Sequence, residues 1–385
     1  MIEYAALRLV WWLLLGILLV GFAVTDGYDL GVGAILRWIG RDDVERRMAI
    51  EAIEPHWEGH QVWFVLAGGA VFAAWPLLYA ASFSGFYFAM LLVLFALILR
   101  PVAFAFRNRL PDLRWRRTWD WALTVAGVVP ALVFGVAFGN LFLGVPFHYA
   151  PSMMPVYDGS FLALFHPFAL LAGVVSLAML VMHGANFAAM KIEAPVGTRA
   201  RRIARIAAAV TGLAFAACGV WLLTIHAPVI IGTLPLDSPS NPPGKQVLLT
   251  AGAWLANFGR FPWLLAAPIS ALSMLLAVML LPGGRAAFVA GGIAIAAIII
   301  TAGLSLFPFL MPSSTNPAHG LTVWDASSSA STLTIMLIAT VVLLPIVLVY
   351  TAWAIRKMRG PVTRAAVVSH SEPEFQPEPP DGRVS

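Results

Sequence analysis

Apolar runs of about twenty residues follow one another along most of the chain, and they constrain the fold more than any other feature. A run of this length crosses the ~30 Å hydrocarbon core as a helix, whereas transmembrane strands alternate polar and apolar positions. The pattern predicts an all-α, polytopic membrane bundle, which we expect to form two four-helix bundles plus a peripheral helix. The nine apolar segments are residues 8–36, 57–78, 80–100, 120–143, 161–190, 204–225, 259–281, 286–311 and 331–355.

Charge is scarce in this chain: 11% of its residues are charged and 60% are hydrophobic. Because a soluble domain carries about 25% charged residues, the composition excludes a soluble enzyme, a nucleic-acid-binding domain and a disordered chain. The net charge of +5 is no sign of nucleic-acid binding, since Lys and Arg in a membrane protein mostly report topology. The single cysteine, Cys218, excludes an intramolecular disulfide and a CxxC site.

Basic residues occur in every second connection between these segments. The odd-numbered connections are basic, whereas the even-numbered ones hold only Lys245. By the positive-inside rule, the N-terminus lies outside the membrane and the C-terminus inside. From about residue 360 the chain becomes rich in Pro and Glu. We therefore expect a membrane domain over 1–359 and a disordered cytoplasmic tail over 360–385.

Two acids, Asp26 and Asp29, lie inside the first apolar segment, where a charge is costly and indicates function. Their spacing places both on one helix face, and a Gly-x-x-x-Gly pair beginning at Gly27 lets another helix approach closely. We therefore expect both acids to face protein in the cytoplasmic half of the membrane. They serve either as proton carriers or as helix-end charges at the headgroup level, paired with Arg37 or Arg41.

A second polar group, residues 55–61, precedes the second segment. Its proline suits the first turn of a helix, where the helix dipole favours the Glu58 carboxylate. Alternatively, His56 and Glu58 join Asp26 in a proton uptake path at the cytoplasmic face. His56 and His60 are four residues apart, but Glu58 is at the wrong offset for an HExxH zinc site, so we expect no metal here.

Further polar and aromatic positions indicate packing between helices or subunits. Arg100 ends the third segment, where it would extend its charge to the interface, and Asn140 suits a hydrogen bond between helices. The packing candidates are Trp57, Trp63, Arg100, Asn140, Ser313, Ser314, Trp324 and Asp325. Several histidines could each ligate a haem, but none has haem-specific spacing; they are His148, His166, His183, His226 and His319.

Several long strings occur in an order that resembles subunit II of the bacterial cytochrome bd quinol oxidases. The resemblance extends from the N-terminus to about Arg359 and leaves only the tail unmatched. Its strings are GFAVTDGYDLGVG at 21–33, PHWEGHQVW at 55–63, AGGAVFAAWP at 67–76, GVAFGN at 135–140, AGAWL at 251–255, FPFLMPSST at 307–315 and WDASS at 324–328.

The resemblance implies a subunit of an inner-membrane enzyme that oxidises ubiquinol or menaquinol and reduces O2 to water. In this family two b-type haems, one d-type haem and the oxidation of quinol belong to the partner, subunit I. We therefore expect no catalytic residue and no directly bound haem in this chain. Some members also hold a structural quinone on subunit II, in contact with membrane lipid, and include a very small one-helix accessory subunit.

Matched to this sequence, the family's acidic position in helix one is Asp26, with Asp29 beside it. The acid that follows Trp57 is Glu58, where some members carry Asp. The resemblance implies that these acids contribute a proton pathway from the cytoplasm. His60 stands where some members carry Asn, so the resemblance implies no essential role for it.

Two other functions stay open at this stage. A transporter or channel that acts alone would explain the spans and the buried acids equally well. A structural scaffold that only holds subunit I together is compatible with the oxidase. Co-purification with a haem-bearing partner separates the oxidase from the transporter.

Overall fold

The computed structural model describes residues 3–234, 236–357 and 360–369. Helices dominate it, as the apolar runs predict. They are α1 (Tyr4–Val24), α2 (Asp26–Ile39), α3 (Asp43–Ile53), α4 (Trp57–Ala74), α5 (Pro76–Gly85), α6 (Tyr87–Phe106), α7 (Leu113–Leu143), α8 (Pro167–Lys191), α9 (Val196–Trp221), α10 (Ala256–Arg260), α11 (Ala266–Leu280), α12 (Gly284–Leu306), α13 (Ala330–Lys357) and α14 (Arg364–Ser369).

The long helices group as two bundles and one outer helix. The first bundle contains α1 with α2, α4, α6 and α7, and the second contains α8, α9, α11 and α12. The bundles meet where α8 packs against α2 and α7, while α13 packs on the outside of α1 and α4. In the described part of the chain, eight helices are long and apolar enough to cross a membrane, or nine if the bent pair α4–α5 counts as one span. This confirms the predicted fold class.

The two ends of the bundle differ. Three antiparallel hairpins cover one end: β1 (Phe147–Tyr149) with β2 (Pro155–Tyr157), β3 (His226–Ile231) with β4 (Gln246–Ala251), and β5 (Phe309–Met311) with β6 (Leu321–Thr322). We call this the hairpin end. The arginine-rich connections lie at the other end, which we call the basic end.

The third span begins later in the chain than the expected range, 80–100. Helix α4 stops at Ala74, α5 turns away from it by 120°, and the next span is α6. Pro76 explains the bend, because proline has no N–H for the hydrogen-bond ladder of α4 and favours the first turn of a new helix.

The first span is also less regular than predicted. It breaks at Thr25, whose hydroxyl donates to the carbonyl of Gly21 at 2.7 Å, and α2 starts afresh at Asp26. Both acids thus lie in a first helical turn, where free N–H groups and the helix dipole favour negative charge.

The segment expected to be a disordered tail, 360–385, contains a short helix near its start. Helix α14 packs against α3, and Arg364 pairs with Asp42 at 3.1 Å. The remainder, 370–385, lies outside the described residues.

The two bundles are in contact where the backbones of α2 and α8 approach closely at glycine residues. A Cβ added to Gly31 would lie 2.0 Å from the carbonyl oxygen of Leu180 and 3.1 Å from the Cα of Gly184, both on α8. Gly27 faces Leu180 as well. The predicted close approach of another helix is therefore confirmed, and α8 is that helix.

We expect Gly31→Ala to destabilise the protein by about 1–3 kcal/mol, because the added methyl group overpacks the α2–α8 contact. Thermal unfolding in detergent, followed by near-UV circular dichroism, measures the loss. Gly16→Ala is the matched control, since its Cβ would meet nothing within 4 Å. Equal melting temperatures for the two variants would contradict the close contact.

Candidate functional site

A buried ion pair joins α2 to α6. The guanidinium of Arg100 donates to both carboxylate oxygens of Asp26, at 2.5 and 3.0 Å, and both side chains are at most 4% exposed. This bidentate geometry is the strongest arrangement of the two groups, and it offsets the cost of removing both charges from water.

The pair corrects two expectations. Arg100 does not reach the interface, because it is buried against Asp26. Asp26 does not pair with Arg37 or Arg41 either. Arg37 lies over the ring of Trp121 at 4.1 Å, and the backbone N–H of Arg41 donates to Glu45.

The second acid, Asp29, is bonded to a histidine from α4. Nδ1 of His60 donates to Asp29 at 2.7 Å, and the Tyr28 hydroxyl lies 3.3 Å from the other ring nitrogen. Asp29 and His60 are both buried. Among the described residues, no group bonds to the second carboxylate oxygen of Asp29. Asp29, His60 and Tyr28 therefore form a buried group that can hold and pass a proton.

His60, to which the sequence assigns no essential role, lies at the centre of this buried group. Its position four residues after His56 places both on one face of α4, and that spacing was the available signal. The two rings lie 5.9 Å apart, centroid to centroid. His56 caps the start of α4, where burial, followed by the charges of His60 and Lys191, lowers the pKa of His56 to about 4. His56 is therefore neutral near pH 7 and would hold an extra proton only transiently.

Glu58 does not join this group within the chain, because its side chain is exposed on α4. Trp57, next to it, packs on Phe104 with centroids 5.6 Å apart and lies 5.7 Å from the guanidinium of Arg100. Trp63 packs directly on Gly21, so both tryptophans make the helix contacts expected of them.

Helix α8 closes the other side of the acids. The ring of Tyr28 stacks on Phe187 at 4.1 Å, and His183 stacks on Phe288 at 4.5 Å. His183 also bonds to the carbonyl of Val24 at 3.0 Å, in the last turn of α1. This histidine therefore packs α8 against the break in the first span.

Other histidines have local partners at the hairpin end. His148 bonds to Asp158 at 2.8 Å, and Nδ1 of His319 accepts from the backbone N–H of Tyr149. Across residues 3–234, 236–357 and 360–369, no three His, Cys, Asp or Glu side chains lie close enough to hold a metal ion.

The remaining packing candidates lie at the hairpin end. Asp325 bonds to the buried ammonium of Lys245 at 2.7 Å, and burial, opposed by Asp325, lowers the pKa of Lys245. Asn140 donates to two carbonyls, one on α7 and one in the segment before α8. Three further candidates also contact neighbouring elements there: Ser313 with Phe147, Ser314 with Val145 and Trp324 with Phe307.

A cluster of ion pairs fixes helix ends at the basic end. Arg107 and Arg46 both bond to the buried carboxylate of Asp120, at 2.6 and 3.0 Å. Arg107 also pairs with Asp43, which accepts a second bond from Arg116. This network connects α3, α6 and α7.

The chain is similar to known proteins in both sequence and structure. The family model for cytochrome bd terminal oxidase subunit II matches residues 7–358. Cytochrome bd-I ubiquinol oxidase subunit 2 of Escherichia coli is 49% identical over 370 residues, which cover 94% of this chain and 97% of that protein. Cytochrome bd ubiquinol oxidase subunit 2 of Bacillus subtilis is 31% identical, over 96% of this chain and 99% of that one.

The fold is also found in a solved bd oxidase from Geobacillus thermodenitrificans. The TM-score is 0.65 at 16% identity, and the match covers 91% of this chain and 98% of that one. At this identity the likeness concerns the fold alone. The family match over nearly the whole chain and the similarity to the E. coli subunit establish that this chain belongs to the cytochrome bd terminal oxidase subunit II family.

Proposed function

We propose that this chain is the haem-free subunit of a bacterial quinol:O2 oxidoreductase. In this role it supports the haem-bearing subunit I and carries protons from the cytoplasm toward the site where O2 is reduced. The names of its E. coli and B. subtilis relatives support a quinol as the electron donor. On the strength of the family resemblance, the proposal also includes a quinone bound on this chain and a one-helix accessory subunit.

The observation that carries the proton role is the buried group formed by Asp26, Arg100, Asp29, His60 and Tyr28. Ionisable groups within a membrane are expensive and are retained for function. The rings of His56 and His60 lie 5.9 Å apart, centroid to centroid, and His56 stands at the start of α4, so we place the beginning of the path at His56. The path then continues to Asp29.

The direction of proton flow follows from charge. Reduction of one O2 to two waters consumes four electrons and four protons, and two quinols supply the electrons. If quinol releases its protons outside while water formation takes protons from inside, charge is separated without pumping. The arginine-rich connections support the basic end as cytoplasmic, which places the N-terminus outside and the C-terminus inside.

Glu58 has a separate place in the proposal. Its exposed carboxylate lies one residue beyond Trp57, near the start of α4 and therefore near the mouth of the path. At this level it can collect protons from water, which His56 then accepts. The family's acid at this position supports that role.

We expect the expressed chain to co-purify with a haem-bearing partner. The membrane extract should show reduced-minus-oxidised bands of b-type and d-type haem in the fraction that holds this chain. A stable, haem-free protein that purifies alone and takes up solute would support the transporter instead and exclude the oxidase role.

We expect Asp26→Asn to impair both assembly and oxygen consumption, because it leaves the buried Arg100 without its counter-charge, at a cost of about 3–5 kcal/mol. The double variant Asp26→Asn/Arg100→Gln removes both charges and should restore haem content and complex yield. Quinol-driven oxygen consumption, measured with an oxygen electrode, should stay low in the double variant. Recovery of turnover together with assembly would reduce this pair to a structural role.

We expect Asp29→Asn to lower quinol oxidase turnover at least about tenfold with haem content unchanged, because the amide keeps a hydrogen bond to His60 but cannot carry a proton. Proton uptake by the enzyme in liposomes should fall in parallel. Asp158→Asn is the matched control, since that carboxylate is at the hairpin end and outside the path. Wild-type proton uptake in Asp29→Asn would exclude Asp29 from the pathway.

A further inference from the structure

A cavity of about 560 Å³ opens at the basic end of the second bundle. It lies between the first three turns of α9 and the connection from α11 to α12. Its wall carries three arginines, Arg201, Arg202 and Arg205, and its lining holds no acidic residue.

The arginines of this cavity differ from others at the same end. Arg46, Arg107, Arg116, Arg199 and Arg364 each pair with a carboxylate. In the part of the chain that the structure describes, the three cavity arginines have no carboxylate partner. Their positive charge is therefore left for a ligand to neutralise.

One of the three is held rigidly. Arg201 donates to the side-chain carbonyl of Asn186 at 3.0 Å, to Val278 at 2.6 Å and also to Leu281. Its Nε–H is buried and, among the described residues, has no partner. Arg205 makes one 3.3 Å bond to Leu281. These contacts fix the Arg201 guanidinium before any ligand arrives, whereas Arg202 and Arg205 are exposed.

The opposite wall adds to the positive field. Gly283 and Gly284 line the cavity at the start of the 23-residue helix α12, where free N–H groups and the helix dipole favour an anion. Gly283 has φ +123° and Gly284 has φ +70°. These backbone conformations bring the start of the helix to the cavity without a side chain in the way.

An apolar track leads away from the cavity along the membrane. Ile206 lines the cavity and is 59% exposed, and the outward residues Val210 and Leu213 follow it on α9. On α11, Leu276 and Leu280 are also exposed. An apolar surface beside a cationic cavity at a helix end matches a molecule with an acidic headgroup and acyl chains.

We propose that this cavity binds the phosphate headgroup of an anionic phospholipid from the leaflet at the basic end. The guanidiniums of Arg202 and Arg205 neutralise the phosphate, and Arg201 together with the start of α12 orients it. The acyl chains lie along the track that begins at Ile206. Basic pockets between transmembrane helices on the cytoplasmic side recognise lipid headgroups in this way.

The test counts lipid bound to the assembled oxidase, so its result does not depend on the proton pathway. The delipidated complex is supplied in detergent with phosphatidylglycerol or with phosphatidylcholine, and retained lipid is counted by native mass spectrometry. We expect retention of phosphatidylglycerol by the wild type. Arg202→Gln/Arg205→Gln should lower its affinity about 25-fold, since each basic side chain near a membrane surface contributes roughly fivefold.

Two further variants control for charge and for folding. Arg109→Gln/Arg117→Gln removes the same charge at the same end, from exposed residues outside the cavity, and should retain lipid as the wild type does. Arg202→Lys/Arg205→Lys should keep most of the binding. If the glutamine pair fails to assemble, Arg202→Gln alone should lower the affinity about fivefold.

Three results would overturn the proposal. The first is equal retention of phosphatidylglycerol by the wild type and an assembled glutamine variant. The second is equal retention of phosphatidylglycerol and phosphatidylcholine by the wild type. The third is displacement of the lipid by inorganic phosphate that itself stays bound, because the site would then serve a free anion.

Discussion

A charge inside a membrane bundle needs an opposite charge beside it, and the bond between Asp26 and Arg100 meets this requirement for the first bundle. It joins the start of α2 to α6, and these two helices belong to different spans. Around it, Trp57 of α4 covers the guanidinium, and the break at Thr25 places both acids in the first turn of α2. The charges of Asp26 and Arg100 cancel. The pair therefore adds no net charge beside Asp29 and His60, which lie nearby.

Close packing then determines which helices reach the acids. The glycines of α2 allow α8 to approach, and α8 supplies the aromatic wall against which Tyr28 is stacked. Residues from α2, α4, α6 and α8 thus meet at one depth, although they are far apart in the chain. The result is a small polar group whose water access is limited by packing.

The spans were predictable because hydropathy depends only on local composition. The bend at Pro76 was partly visible as well, but the place where the next span begins depends on how α5 leaves α4. The ion pairs between helices were not predictable in the same way. Arg100 could have reached the interface by itself, and only the folded bundle brings it to Asp26. The exposure of Glu58 and the burial of His60 likewise depend on the rotation of α4, which an apolar helix without a marked polar face does not encode.

The distance of 74 residues between Asp26 and Arg100 has a consequence for biogenesis. The carboxylate leaves the ribosome long before its partner is made, and an isolated charge at the bilayer centre costs about 2.5–3.5 kcal/mol on insertion scales. Until the third span has been made, the Asp26 carboxylate has no Arg100 beside it to offset this cost. Insertion of the first and third spans is therefore coupled, because each carries the counter-ion that makes the other less costly to bury.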